Sequence, residues 1–239
     1  EGGGFARIYA DNVEVATAAG PALSTDEKLA FLRHAKVVAV RPIGKGTTGA
    51  LRLTLTDGTL THDAAFQRIN VEPRQVAGQV IGQGFVDAYR YNIAAWELAR
   101  LLGLEDMTPP TVARTVRAQP GALSWWVDDV LMDEAERERT QTTPPAGLAL
   151  DVSRQRQRML VFAELVQDTD RNKGNVLYTN DWRLVMLDFT RAFRLKAELR
   201  TPAVLSAIDC DLLERLRGLD RAAIQRAAGR HLTVFEAEA

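Results

Sequence analysis

The chain has 239 residues, 46% of them hydrophobic and 26% charged, with a formal net charge of −1. That is the composition of a folded protein, long enough for one large domain or two lobes sharing a cleft. It excludes extensive disorder, and no apolar run approaches the ~18 residues that a membrane span requires. A single cysteine, Cys210, excludes a disulfide scaffold and a cysteine-rich zinc site. Three scattered histidines (His34, His62, His231) argue against a histidine metal centre, and the near-neutral charge argues against nucleic acid as the main partner. Lysines are few: Lys28, Lys36, Lys45, Lys173 and Lys196. The chain starts at Glu1 with a glycine run, which suggests that a leader, tag or upstream segment has been removed. The compartment, cytoplasmic or exported, stays open.

Residues 1–24 are expected to be a flexible, aperiodic lead-in. Ser24-Thr25-Asp26-Glu27 opens a short helix with Leu29, Phe31 and Leu32 on its apolar face. Residues 37–43, 50–56 and 60–71 alternate as three strands of an antiparallel meander, with the GKGTTG turn after the first and Asp57-Gly58 after the second. Residues 85–104 carry apolar side chains at helical spacing and predict a long helix. Two further strands, 111–116 and 121–127, flank the Gln119-Pro120-Gly121 turn. A charged helix is expected over 127–140 and a longer one over 151–168. Residues 175–181 and 183–189 form a hairpin, and the chain is helical from about 201. The reading is an α+β protein with an antiparallel-sheet lobe over 25–127 and a helical lobe over 128–239.

Gly44, Gly46 and Gly49 have the GxGxxG spacing. A dinucleotide-binding fold needs a helix after such a loop, and here a strand follows, so that reading fails. A glycine-rich hairpin between antiparallel strands is instead suited to laying backbone N–H groups over nucleotide phosphates. Its alternative is a plain flexible turn. The second motif, QDTDRNKGN (167–175), leaves a helix and enters a strand, and MLDF (186–189) closes the next strand. Asp170, Asn175 and Asp188 supply one carboxylate for an acceptor hydroxyl and two oxygen ligands for a divalent cation. A calcium-loop reading fails at Lys173 and Thr179, where glycine and glutamate are needed. A dehalogenase-type DxDxT reading fails at Asn172. A helix cap followed by a turn remains as the alternative without chemistry.

In this order, the glycine hairpin, DRNKGN and LDF resemble atypical protein-kinase-like folds: the phosphoinositide kinases, the bacterial HipA-type kinases and the secretory-pathway casein kinases. LTLTDGTLTHDAAFQ, YNIAAWELARLLGL, WWVDDVLMDE and the stretch from VFAELVQDTDRNKGN to LDFTRAF are similar to a bacterial group of kinase-like proteins. The resemblance covers roughly residues 27–195. It implies a bilobal kinase-like fold that binds ATP with Mg²⁺ or Mn²⁺. Asp170 would be the catalytic aspartate, and Asn175 and Asp188 the metal ligands. The loop Gly44, Lys45, Gly46, Thr47, Thr48 and Gly49 would cover the phosphates. Glu97 would be the helix glutamate that pairs with the strand-three lysine, with Asp87 and Glu105 as weaker choices and a plain surface role as its alternative.

The chain departs from that pattern where the lysine should stand, two residues after a small one, because DAAFQRI places Gln67 there. Gln67 can hydrogen-bond a phosphate but supplies no charge. Arg52 or Lys45 would have to provide the cation, since Arg68 points to the other face of the strand. Thr190 replaces the glycine that usually follows LDF, which should stiffen that loop. Trp125 and Trp126 sit at the expected hinge, as core packing or as an adenine wall. Arg171 and Arg191 flank the site and suit phosphate or the acidic cluster around Asp168. Three readings follow: an ATP-dependent phosphotransferase acting on a hydroxyl, a nucleotide- or partner-binding pseudokinase, and an AMP transferase on the same fold. The short segment 190–202 leans towards a small acceptor or a compact peptide site, and the acceptor itself, protein, peptide or small molecule, stays open.

Overall fold

The computed structural model describes residues 23–44, 49–71, 86–196 and 198–239, together with the backbone of four strand segments at 5–10, 13–18, 74–76 and 79–81. Where the composition suggests a lead-in, β1 (Phe5–Ala10) pairs antiparallel with β2 (Val13–Ala18). Val13, Val15 and Thr17 alternate along β2, a pattern that suits a strand despite the surrounding alanines and glycines. Helix α1 (Thr25–His34) starts with a reciprocal cap: the Ser24 hydroxyl accepts from the Glu27 amide and the Glu27 carboxylate accepts from the Ser24 amide.

The meander follows as β3 (Lys36–Pro42), β4 (Leu51–Thr56) and β5 (Thr61–Gln67). The predicted third strand ends at Gln67, and Asn70–Val71 forms a separate short strand, β6. The segments β7 (Arg74–Val76) and β8 (Gln79–Ile81) pair with each other, and β9 (Asp87–Ala88) pairs with β6. That pairing takes up the first turn of the predicted helix, so α2 runs from Arg90 to Leu101. Strands β10 (Thr111–Val116) and β11 (Gln119–Trp125) complete an antiparallel sheet in the order β10-β11-β5-β4-β3. Period-two alternation places Leu53, Leu55, Ala64, Phe66 and Leu123 on one face. There they pack against Leu29, Phe31 and Leu32 of α1 and Trp96 of α2. Gly121 allows β11 to approach β5, because a Cβ there would lie 2.5 Å from the Gln67 carbonyl oxygen. The opposite face carries Arg52, Thr54, Asp63, Ala65 and Gln67.

The second lobe begins with β12 (Val130–Asp133), where the sequence pattern had suggested a helix. Val130, Met132 and Asp133 are drawn into pairing with β13, with Leu131 at a bulge between the first two, and helix α3 (Glu134–Thr140) starts only after the Asp133 cap. Helix α4 (Ala149–Leu165) leads to the hairpin of β13 (Val176–Thr179) and β14 (Leu184–Met186). Helices α5 (Cys210–Arg217), α6 (Arg221–Ala228) and α7 (Val234–Glu238) close the lobe. Its core joins Phe162 and Met159 of α4, Tyr178, Leu184 and Met186 of the hairpin, and Ala94, Ala95 and Leu98 of α2. Among the described residues no helix is long and apolar enough to cross a membrane.

Glu134 ties α3 and α4 to the hairpin. Its buried carboxylate meets Arg137 at 2.6 Å and Arg156 at 2.7 Å, and Arg156 also donates to the Tyr178 hydroxyl at 3.0 Å. Burial alone would raise its pKa; hydrogen bonds from both arginines and Tyr178 override this and bring it from 4.5 to about 2. A carboxylate depressed in this way contributes stability at pH values above its unfolded pKa, and loses it as pH falls through the folded one. Glu134→Gln is therefore expected to cost on the order of 3 kcal/mol near neutral pH. The deficit should shrink as pH drops from 4.5 towards about 2, read by urea denaturation of both proteins across that range.

Candidate active site

The glycine hairpin is closed at its mouth by a backbone bond from Ile43 N–H to the Ala50 carbonyl, 3.1 Å. Gly44 stands at its start, and Gly49 at its end has φ +65°, a left-handed conformation that favours glycine. Lys45, Gly46, Thr47 and Thr48 lie outside the described residues. Arg52 shares the sheet face with Gln67, but its guanidinium is committed: Nε donates to Asp63 at 2.6 Å and the group lies 4.0 Å over the Trp126 ring. Trp125 turns the other way into the core, edge-on to Phe31 and stacked on His62.

The loop after α4 is organised by Arg171, a guanidinium almost wholly buried. It ion-pairs with Asp168, whose side chain is fully buried, and donates to the carbonyls of Asn175 and Leu187 while lying 4.3 Å over the Phe189 ring. One fork of donors thus links the segment of Asp170 to that of Asp188. The hairpin register adds a second link, since the Leu187 amide donates to the Asn175 carbonyl at 2.9 Å. Asn175 and Asp188 are in this way brought to adjoining strand ends although thirteen positions separate them. The Asn175 amide donates to the Asp170 carbonyl at 3.1 Å, which leaves its Oδ1 as a free acceptor among the described residues. Asp168 orients Asp170 by accepting from its backbone amide at 3.0 Å.

Asp188 itself has φ +52°, a strained conformation for a residue with a side chain. Its Oδ1 accepts from the Thr190 amide at 3.2 Å and the Thr190 hydroxyl at 2.8 Å, which holds the turn. Thr190 also accepts from the Ala88 amide at 2.8 Å, fastening this loop to the entry of α2. The threonine that replaces glycine therefore acts through its hydroxyl as well as its reduced backbone freedom.

Asn92, not Glu97, is the α2 residue bonded to the Gln67 side chain. Its Nδ2 donates to Gln67 Oε1 at 2.7 Å, and its Oδ1 accepts from the Phe189 backbone amide at 2.7 Å. Glu97 lies more than a turn further along and faces Arg100, at 3.8 Å. Burial raises its pKa, against the opposing pull of Arg100 and Arg33. Asn92 is signalled in the sequence only as a polar residue within the apolar run YNIAAW. Arg191, expected to flank the site and to suit phosphate or the acidic cluster around Asp168, meets two other carboxylates. It spans Asp87 at 3.0 Å and Asp170 at 3.2 Å. Its pKa is raised by the hydrogen bond to Asp87 and by the charges of Asp170, Asp87 and Asp188. Asp87 is thus an anchor for Arg191. For Glu105 no partner is found among the described residues.

No protein-family model and no curated protein matches the sequence. Solved structures do. The chain is similar to the Golgi casein kinase, in a crystal structure with Mn/ADP bound, with a TM-score of 0.59 and 14% identity. That match covers 90% of this chain and 72% of the other. It is also similar to the Helicobacter pylori proinflammatory kinase CtkA, with a TM-score of 0.52 and 11% identity over 87% of this chain and 89% of that one. Likeness at such low identity speaks for the fold alone, and the fold is that of the atypical kinases, two lobes with an antiparallel sheet in the first.

Proposed function

We propose that the chain is an ATP- and divalent-metal-dependent phosphotransferase acting on a hydroxyl group. The observation that carries this reading is the convergence of Asp170, Asn175 and Asp188 through the Arg171 fork and the β13–β14 register. Asn175 Oδ1 and the Asp188 carboxylate are hard oxygen donors, and they fit Mg²⁺ or Mn²⁺ completed by phosphate oxygens. When bound, the cation would offset the charge on the transferring phosphoryl group. Asp170 would orient the acceptor hydroxyl and take its proton, held meanwhile by Asn172 at 3.1 Å and by Arg191. The glycine hairpin would cover the phosphates and the segment around Trp126 would border the base. The Mn/ADP carried by the Golgi casein kinase structure is consistent with this ligand class.

A second reading, a nucleotide-binding pseudokinase, is favoured by one observation: the neutral Gln67–Asn92 pair where the resemblance calls for lysine and glutamate. Calorimetric titration of ATP with Mg²⁺ or Mn²⁺ decides between them when combined with a turnover assay. Asp188→Ala should lose metal-dependent binding, whereas Asp170→Ala should keep binding within a few-fold and lose transfer by roughly 10²–10⁴. Binding without turnover across an acceptor panel would favour the pseudokinase. Product masses separate phosphate from AMP transfer.

Arg171→Lys preserves the charge but not the fork. It should lower stability by about 2 kcal/mol and speed hydrogen exchange at the Leu187 amide, because the two metal-ligand segments lose their shared donor. Unchanged exchange at Leu187 would show that the hairpin register alone holds them.

A further inference from the structure

The bonds of Asn92 set the direction of every donor around it. The Phe189 backbone N–H can only donate, so Asn92 must present Oδ1 to it, at 2.7 Å. The Asn92 Nδ2 is then turned to Gln67, which must answer with Oε1, also at 2.7 Å. With Oε1 turned to Asn92, the group that Gln67 has left to donate is its Nε2 amino group. Nε2 makes no hydrogen bond among the described residues, and Gln67 lies on the sheet face away from the apolar core, beside Ala65 and Arg52. The relay ends at Phe189, whose chain neighbour is Asp188.

We infer that Asn92 is a positioning residue whose amide relay turns the Gln67 Nε2 group towards the cleft as a neutral donor for an anionic phosphate oxygen. This rests on the nucleotide reading for its ligand, but the relay is a property of the ligand-free protein. The polarity of Gln67 is coupled to the place of the LDF loop: if Phe189 withdraws, Asn92 is free to flip and Gln67 with it. Strand β5, helix α2 and the metal loop therefore read one another through two amides, where a lysine–glutamate ion pair would link only the first two.

Side-chain amide hydrogen exchange by NMR, without nucleotide, tests the relay. In wild type the Asn92 amino group should be protected and that of Gln67 should exchange with solvent. In Asn92→Asp the new carboxylate still accepts from Phe189 but cannot donate, so the Gln67 amino group should swing to it and become protected. Unaltered exchange at Gln67 in the variant would overturn the inference. Calorimetry with ADP and Mn²⁺ tests the ligand. Asn92→Asp should weaken binding on the order of tenfold, as expected for losing one hydrogen bond to a charged acceptor. Adding Gln67→Lys should restore it, through a lysine–aspartate pair; a purely structural role for Asn92 predicts no such rescue. Gln67→Glu, which keeps the Asn92 donation but presents an oxygen to the cleft, should show the same loss and guards against failed folding of Asn92→Asp. Full binding by Gln67→Glu would overturn the donor role. A wild type that binds no nucleotide while showing the exchange pattern would overturn the phosphate reading and leave the relay standing.

Discussion

Helix α2 buries Trp96 in the core beneath the five-stranded sheet and Ala94, Ala95 and Leu98 in the core of the second lobe, and the relation of the two lobes depends on that double burial. A helix with only one apolar stripe leaves its other face to solvent, whereas residues Tyr91 to Trp96 of α2 are all buried. Truncating a buried tryptophan of this kind typically costs about 3–5 kcal/mol. The alanines matter as much, because their small size lets α2 lie close to the second lobe while Trp96 fills the first. At its N-terminus Arg90 pairs with Glu236 of α7 at 2.6 Å, so the C-terminal helices fasten the same element from outside.

Within this frame the site is held by few groups of high bonding capacity. Arg171 forms an ion pair with a fully buried aspartate and caps two carbonyls, and burying it without those partners would be strongly unfavourable. Arg191 balances Asp87 and Asp170, placing one positive charge among carboxylates that would otherwise repel. The strain at Asp188 is modest, of order 1–3 kcal/mol, and the two Thr190 bonds and the Phe189–Asn92 bond over-determine it. The carboxylate that serves as a metal ligand in our reading therefore sits on backbone in the left-handed region.

The contrast with a charged strand–helix pair is instructive. Gln67 and Asn92 need no desolvated charge, and their hydrogen bonds survive without an ion nearby. Arg52, the alternative cation, is engaged by Asp63 and Trp126, so in our reading the charge on a phosphate would be met mainly by the bound cation.

Alternation in residues 37–67 and around the Gln119-Pro120-Gly121 turn made the five sheet strands legible, because period two is a local property of the chain. Helical periodicity located α2 and α4, and DRNKGN with LDF marked the segments that meet at the site. The boundaries that moved are those decided by distant partners: Asp87–Ala88 left the helix to pair with Asn70–Val71, and Val130–Asp133 left it to pair with β13. Glu97 was the plausible acidic residue by type, but position on α2 gave the contact to Asn92. Residue types and spacing thus determined the strands of the five-stranded sheet, the two long helices and which carboxylates and amides are available for chemistry. Which groups touch, and which way an amide points, was decided only in the tertiary structure, because a hydrogen bond's direction depends on the donor that packing brings against it.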